Sequence, residues 1–418
     1  MNSKRLDLGV RRSQLPDEIL QEIFMRLPLK PLVKLTAVCK SWNSLVKTSA
    51  FIHAHRARNN QDQNLLLTKV IVSPKIPGKD VSHDRHLFSL RTDEPTFPVY
   101  RSYYKQLTHP FESYNKLHAR SAKDRLKITP YDEIQTCNGL VFLASHRVLN
   151  LSNSTALLWN PCIRKFVRLP RLIDKSRREV DRRISYGFGY DLRTDDYKVL
   201  RIVITQGNTS YDIWSLKRPC WRGLSVLPPV DDFDPTWRHA PIFVRGAVHW
   251  VHHQEKEGDG PIVSFDMSNE VFGEIMIPEV MRNKRTMVIS RYGNCLATLQ
   301  WDVYSEEGVD MWLMMEYGVV ESWTKLVTVK SVPTSFKRLG CRNNGDVVIK
   351  IRRSDSFDHN TKKVTMRYKQ KLLSPVSVDM VSFPVVGRFS EYLLVEPFEE
   401  TLVLLDRQTR VKTFGGPL

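Results

Sequence analysis

With 418 residues the chain is too long for one ordinary core, and its length predicts two or three domains. Hydrophobic residues at 41% and aromatic residues at 10% exclude a chain that stays unfolded, and a formal net charge of +18 suits acidic partners. The opening MNSKRLDLGVRRSQ lacks the apolar core of a signal peptide, and no stretch approaches about 18 uncharged apolar residues, so a soluble protein of the cytoplasm and/or nucleus, without membrane contact, is expected.

Residues 1–12 read as a disordered basic tail. From residue 13 to about 58 apolar positions recur at helical spacing. Ile19, Ile23 and Leu27 form one line and Leu20 with Phe24 a second. Pro16, Asp17 and Glu18 make a good helix start, because proline fits the first turn and acids suit the positive end of the helix dipole. Pro28 ends that helix, and Pro31 is expected to start a second carrying Leu32, Leu35 and Val38. A third holds Trp42, Leu45 and Val46, and a polar fourth, roughly Ala50 to Arg58, leads out. Seventeen of the 32 residues from Leu15 to Val46 are apolar. Three short helices cannot shelter that many side chains, so part of the surface must be covered, by another protein or by the rest of the same chain.

Residues 75–135 are rich in proline, histidine and arginine, and 59–136 read as a connector or a degenerate first repeat. From about residue 60 onward the apolar period is two. LLLTKVIV, GLVFL, YKVLRIVI, AVHWV, PIVSF, DVVIKI and TLVLL are strand-like runs bounded by turn residues, which assigns 137–405 to an all-β domain and leaves 406–418 as a tail. Gly139, Gly189, Gly246, Gly293 and Gly345 follow one another at 50, 57, 47 and 52 residues. A second motif follows in several units: WNPCIRK from Trp159, CWR from Cys220, NEVF from Asn269 and ESWT from Glu321. A period near 50 is that of four-stranded propeller blades, with a sandwich as the alternative. The fold class expected is therefore α+β and multidomain: a three-helix N-terminal unit, then an all-β, propeller-like domain.

LPDEILQEIFMRLPLKPLVKLTAVCKSWNSLV resembles the F-box in its LP-x-[DE] opening, its central LP and its L-x-x-x-x-V-[CS]-K-x-W line. The resemblance implies a unit that docks on a Skp-type adaptor and through it on a cullin. Carried onto this sequence, the adaptor-facing residues would be Leu15, Pro16, Ile19, Ile23, Leu27, Pro28, Leu32, Leu35, Val38, Cys39 and Trp42, with Lys40 as a charged contact to an acidic adaptor. Some of these would fill the unit's own core, and the sequence does not sort the two sets. CNGLVFL, LWNPCIRKFVRLP, YGFGYDLRTDDYKVLRIV, VRGAVHWV and IVSFDMSNEVFGEIMIP resemble the plant F-box-associated domain of the kelch-like kind, over roughly residues 137–350. Together the two resemblances imply the substrate-recognition subunit of a Skp–cullin–F-box ubiquitin ligase, itself without catalysis or cofactor. The alternatives are a basic nucleic-acid-binding β module, or an adaptor-binding decoy without a target.

Other features carry less. Cys39, Cys137, Cys162, Cys220, Cys295 and Cys341 lie singly, without disulfide or zinc spacing. His249, His252 and His253 cluster near Glu255 and Glu257 but read as a strand end rather than a metal site. Asp195 and Asp196 read as β-turn residues. Trp159, Trp214, Trp221, Trp250 and Trp323 are assigned to the core, and Trp237, in the loop-like run DDFDPTWRHAP, is the candidate for target binding.

Overall fold

The computed structural model describes residues 16–60, 64–72, 85–94, 103–107, 133–145, 155–170, 183–205, 208–236, 240–254, 258–282, 286–302, 308–330, 336–352, 356–358, 363–365, 368–373, 381–382 and 392–404. Among them no helix is long and apolar enough to cross a membrane. Leu15, Trp237 and both terminal tails lie outside the described residues.

Four helices open the chain. Pro16, extended at φ −50° and ψ 145°, precedes α1 (Asp17–Met25), whose first turn carries Asp17 and Glu18. Helix α2 (Leu29–Leu35) begins straight after Pro28, so Pro31 lies within its first turn rather than at its start. A proline is tolerated there because the first-turn N–H groups have no intrahelical partner. Val38 falls beyond α2, in the turn leading to α3 (Lys40–Val46). Cys39 caps α3: its sulfur accepts from the Trp42 N–H at 3.5 Å, the place a serine hydroxyl often takes. Thr48 does the same for α4 (Ser49–Asn60), its Oγ1 accepting from the Phe51 N–H at 3.2 Å. Phe24, Leu29, Leu32, Val46 and Phe51 fill the interior, and Trp42 stands edge-on to Phe24 with ring centres 5.0 Å apart.

The rest is a β propeller. Segment 59–136 supplies β1 (Leu65–Val72), β2 (Arg85–Thr92), β3 (Tyr103–Leu107) and β4 (Glu133–Cys137). Then come β5 (Leu140–Ser145), β6 (Thr155–Asn160) and β7 (Lys165–Arg168); β8 (Arg183–Asp191), β9 (Asp196–Thr205), β10 (Asn208–Ser215) and β11 (Trp221–Leu224). They are followed by β12 (Ile242–Val244), β13 (Ala247–Gln254), β14 (Gly258–Asp266) and β15 (Val271–Ile275), with a short helix α5 (Glu279–Arg282) before β16 (Thr286–Tyr292), β17 (Cys295–Trp301), β18 (Val309–Met314) and β19 (Trp323–Val329). The last are β20 (Phe336–Cys341), β21 (Val347–Arg352), the small hairpin β22 (Ser356–Asp358) and β23 (Lys363–Thr365), β24 (Tyr368–Leu373), β25 (Val381–Ser382) and β26 (Tyr392–Phe398). Four sheets are plain four-stranded meanders: β4 to β7, β8 to β11, β12 to β15 and β16 to β19. The remaining eight-stranded sheet is two such blades, β20-β21-β24-β25 and β26-β1-β2-β3, joined by one parallel bridge between Gly340 and Val395. Innermost strands touch in the cycle β26, β4, β8, β12, β16, β20 and back to β26.

The ring closes by pairing its two ends. β26, from the C-terminal end, runs antiparallel to β1, from Leu65 opposite Phe398 to Val70 opposite Tyr392. Inner strands approach closely where small residues let them. A Cβ on Gly187 would meet the Trp250 ring, one on Gly189 the Phe243 ring, and one on Gly340, at φ 145°, would run into the Val395 carbonyl. Buried ion pairs tie blades together: Lys198 reaches Asp191 at 2.7 Å and Glu270 of the next blade at 2.8 Å, and Arg342 reaches Asp93 at 2.8 Å across the closure. Gly340→Val is therefore expected to cost about 3 kcal/mol or more. Gly246→Ala, also at positive φ but facing open space, should cost about 1 kcal/mol. Thermal unfolding of the two variants checks that order.

Candidate functional site

The helical unit sorts the residues that the sequence left mixed. Ile19, Ile23 and Val38 are 49%, 41% and 62% exposed, while Phe24, Leu29 and Leu32 of the same helices are buried. Pro16, Pro28, Cys39 and Lys40 are exposed with them. Leu27, Leu35 and Trp42 are half-buried and pack against the interior from its edge. Leu32 is a correction: it is 0% exposed and belongs wholly to the helical core, because α2 turns that side toward the other helices. Lys30, Lys34 and Lys40 stand exposed on α2 and at the start of α3, giving this end a basic border. Glu22, on α1, is engaged by Arg26 at 2.7 Å and by Arg58 at 3.2 Å. The outcome is a set of exposed apolar side chains on α1 and just after α2, with Asp17 and Glu18 beside it on α1 and lysines on the α2–α3 side.

The opposite side of the unit is joined to the propeller. One apolar cluster runs from Phe24, Leu29, Leu32, Val46 and Phe51 into Leu65, Leu67, Phe88, Val141, Trp159, Leu394 and Phe398. Helix α4 makes the polar part of the joint. His53 Nε2 lies 2.6 Å from Asp195 Oδ1, Ser49 and Tyr190 donate to the same carboxylate, and Tyr190 Oη lies 3.1 Å from His53 Nε2. Burial alone would raise the Asp195 pKa, but the hydrogen bonds from Ser49, Tyr190 and His53 outweigh it and hold the carboxyl below its ordinary value. Arg56 adds an ion pair to Glu399 at 3.5 Å, and His55, 1% exposed, faces the Leu27 carbonyl at 2.9 Å. Sequence reading missed this joint: Ser49 and His53 look like solvent-facing helix residues, and their partner lies more than a hundred residues away. The one local signal was DLRTDD, whose Asp195 sits at a positive φ of 52° in the turn between β8 and β9.

In each blade, the turn from innermost to second strand and the turn from third to outermost strand open on the same face, since an antiparallel meander alternates direction. The contacts of α4 with Asp195 and Glu399 place the helical unit on that face. Both repeated sequence motifs map there. Gly139, Gly246, Gly293 and Gly345 occupy innermost-to-second turns, and the motifs at Trp159, Asn269 and Glu321 span third-to-outermost turns. Gly189 departs from its set: it lies within β8 against Phe243, and its blade makes that turn with residues 192–195.

The other singled-out residues are structural. His249 is fully buried between the Ile242 carbonyl at 3.2 Å and the Tyr317 hydroxyl at 2.7 Å. Burial, opposed in part by the Ile242 contact, lowers its pKa to about 4, so the ring is neutral. Asp196 is not paired with Asp195: it accepts from the Ser215 hydroxyl and the Lys217 N–H within its own blade. Trp159, Trp214, Trp250 and Trp323 are buried, whereas Trp221 is half-buried, donating to the Pro170 carbonyl at 2.8 Å beneath the Arg201 guanidinium.

Comparison with known proteins finds the same two parts. The model of the F-box domain matches residues 12–53, and that of the F-box associated beta propeller domain matches residues 101–380. An Arabidopsis thaliana F-box/kelch-repeat protein is 28% identical over 80% of this chain and 84% of its own length. Another F-box protein of that plant is 26% identical over 92% and 89%. The Arabidopsis F-box protein CPR1 is 27% identical over 77% and 74%.

The joint makes a specific expectation. Asp195→Ala should destabilise the chain by about 1 kcal/mol, a value kept small by the carboxylate's partial exposure. Hydrogen exchange in α4 should accelerate while that in β12 to β19 stays unchanged. A carboxyl held below its unfolded pKa contributes stability that is full above the ordinary aspartate range and is lost as pH falls through the folded value. The stability gap between wild type and Asp195→Asn should therefore shrink below about pH 4.

Proposed function

Since the chain belongs to the F-box associated β-propeller family, we propose that it is the substrate-recognition subunit of a Skp–cullin–F-box ubiquitin ligase. The F-box takes the Skp-type adaptor through Ile19, Ile23 and Val38, bordered by Pro16, Pro28, Cys39 and Lys40, and the adaptor leads to the cullin. The propeller takes the target. The observation that carries this reading is the set of three large aliphatic side chains left exposed on a unit whose other side is sealed into the propeller.

The function is one of position rather than bond chemistry. Holding a target beside a charged ubiquitin carrier raises the effective concentration of its lysines, and the gain depends on fixed geometry. The shared apolar core and the Asp195 clasp supply that rigidity, since the F-box cannot swing without breaking both. The face turned away from the F-box is the place for the target. The ends of β1 at Val72, of β3 at Leu107 and of β5 at Ser145 open there, clear of the adaptor side. Such a subunit works in the cytoplasm and/or the nucleus.

The test is binding of purified full chain to a Skp-type adaptor, followed by calorimetry. Ile19→Asp with Val38→Asp should weaken binding by about 100-fold or more while leaving the thermal midpoint near wild type, because both side chains are exposed in the free chain. Leu32→Ala should behave in the opposite way, costing about 2–5 kcal/mol of stability. Adaptor binding that is equal in wild type and the double variant would overturn the assignment of this face.

A further inference from the structure

On the F-box side, the propeller axis opens into a cavity of about 420 Å³. Its wall is built by the ends of inner strands and their turns from five of the blades, at Asn138, Arg245, Arg291, Arg342 and Glu399 among others. Guanidinium groups outnumber carboxylates there. Glu399, an acid of the wall, is engaged by Arg56 from α4 at 3.5 Å. Arg342 is matched by Asp93 at 2.8 Å and Asp346 at 3.0 Å. Arg291 and Arg338 share the single carboxylate of Glu396, at 3.6 Å and 3.0 Å. Arg245 is exposed, places its Nε 3.2 Å from the Asn294 carbonyl, and has no carboxylate partner among the described residues. The mouth therefore holds one more positive charge than its own acids neutralise, concentrated at Arg245, in the turn after β12, and at Arg291 of the neighbouring inner strand β16. Their planar forks suit the paired oxygens of a carboxylate or phosphate, and the partial seclusion of the cavity strengthens such a pairing relative to open water.

We infer that this axial mouth is a binding site for a small oxyanion, a molecule bearing phosphate or carboxylate groups, with Arg245 and Arg291 as its charge partners. The site lies apart from Ile19, Ile23 and Val38, so it stands or falls independently of the adaptor. It adjoins Glu399, whose partner Arg56 belongs to the F-box, so an occupant bears on the joint between the two domains. Anything bound there stabilises the folded chain by mass action.

The experiment titrates the full chain with inorganic phosphate in one arm and citrate in the other, with chloride holding ionic strength constant, and reads the thermal midpoint and the calorimetric heat. A saturable rise with either anion is expected, and the arm that responds identifies the group recognised. Arg245→Gln should weaken that response at least about tenfold, and Arg245→Glu should abolish it. Both replace an exposed side chain, and Arg26→Gln on the F-box serves as a control that should change nothing. No saturable response in either arm, or one that survives intact in Arg245→Glu, would overturn the proposal.

Discussion

The structure depends on one continuous apolar core that crosses the boundary between helices and propeller. Phe24, Leu32, Val46 and Phe51 pack on the same cluster as Leu67, Phe88, Trp159 and Phe398. Four short helices could not sustain an interior alone, and the propeller completes it. The completion is one-sided. It covers the inner flank of the helices and leaves Ile19, Ile23 and Val38 to solvent. The same constraint that gives the F-box a fold thus leaves its outer face available to a partner.

Ring closure carries the second requirement. The joint to the helices uses β1 and β26, which are also the strands that pair the two ends of the chain. Phe398 and Leu394 of β26 reach into the helical cluster, while Glu396 of the same strand turns toward Arg291 and Arg338. F-box seating and propeller closure are therefore mechanically linked. A force on the helices is borne by the closing blade, as the proposed role of holding two partners at a set separation requires.

Much of this was legible in the sequence, and the gaps have physical reasons. Helices α1 to α3 showed themselves by periodicity and proline, with an error of a few residues where Pro31 entered the first turn instead of preceding it. The sorting of Leu32 from Ile19 was not legible, since both lie on helical stripes and only the packing direction of each helix separates core from face. The closing blade hid for a different reason. LLLTKVIV showed β1 as a strand, but β2 and β3 lie in a segment rich in proline, histidine and arginine, and the β1 partner β26 is at the other end of the chain, so no local pattern announces the pairing. The repeats were readable because short turns with positive φ demand glycine or its substitutes, and those turns all lie on the F-box face. His53 gave no such signal and Asp195 only that of its positive-φ turn, and only the fold brings the two together.

The central claim is that the adaptor covers the outer face of α1 and the turn between α2 and α3, leaving the inner flank as it is. Hydrogen exchange of the full chain with and without a purified Skp-type adaptor measures this most directly. The account predicts new protection around Ile19, Ile23 and Val38, with α4 and the propeller strands unchanged. Protection confined to α4 or the propeller, or none around Val38 at saturating adaptor, would contradict it.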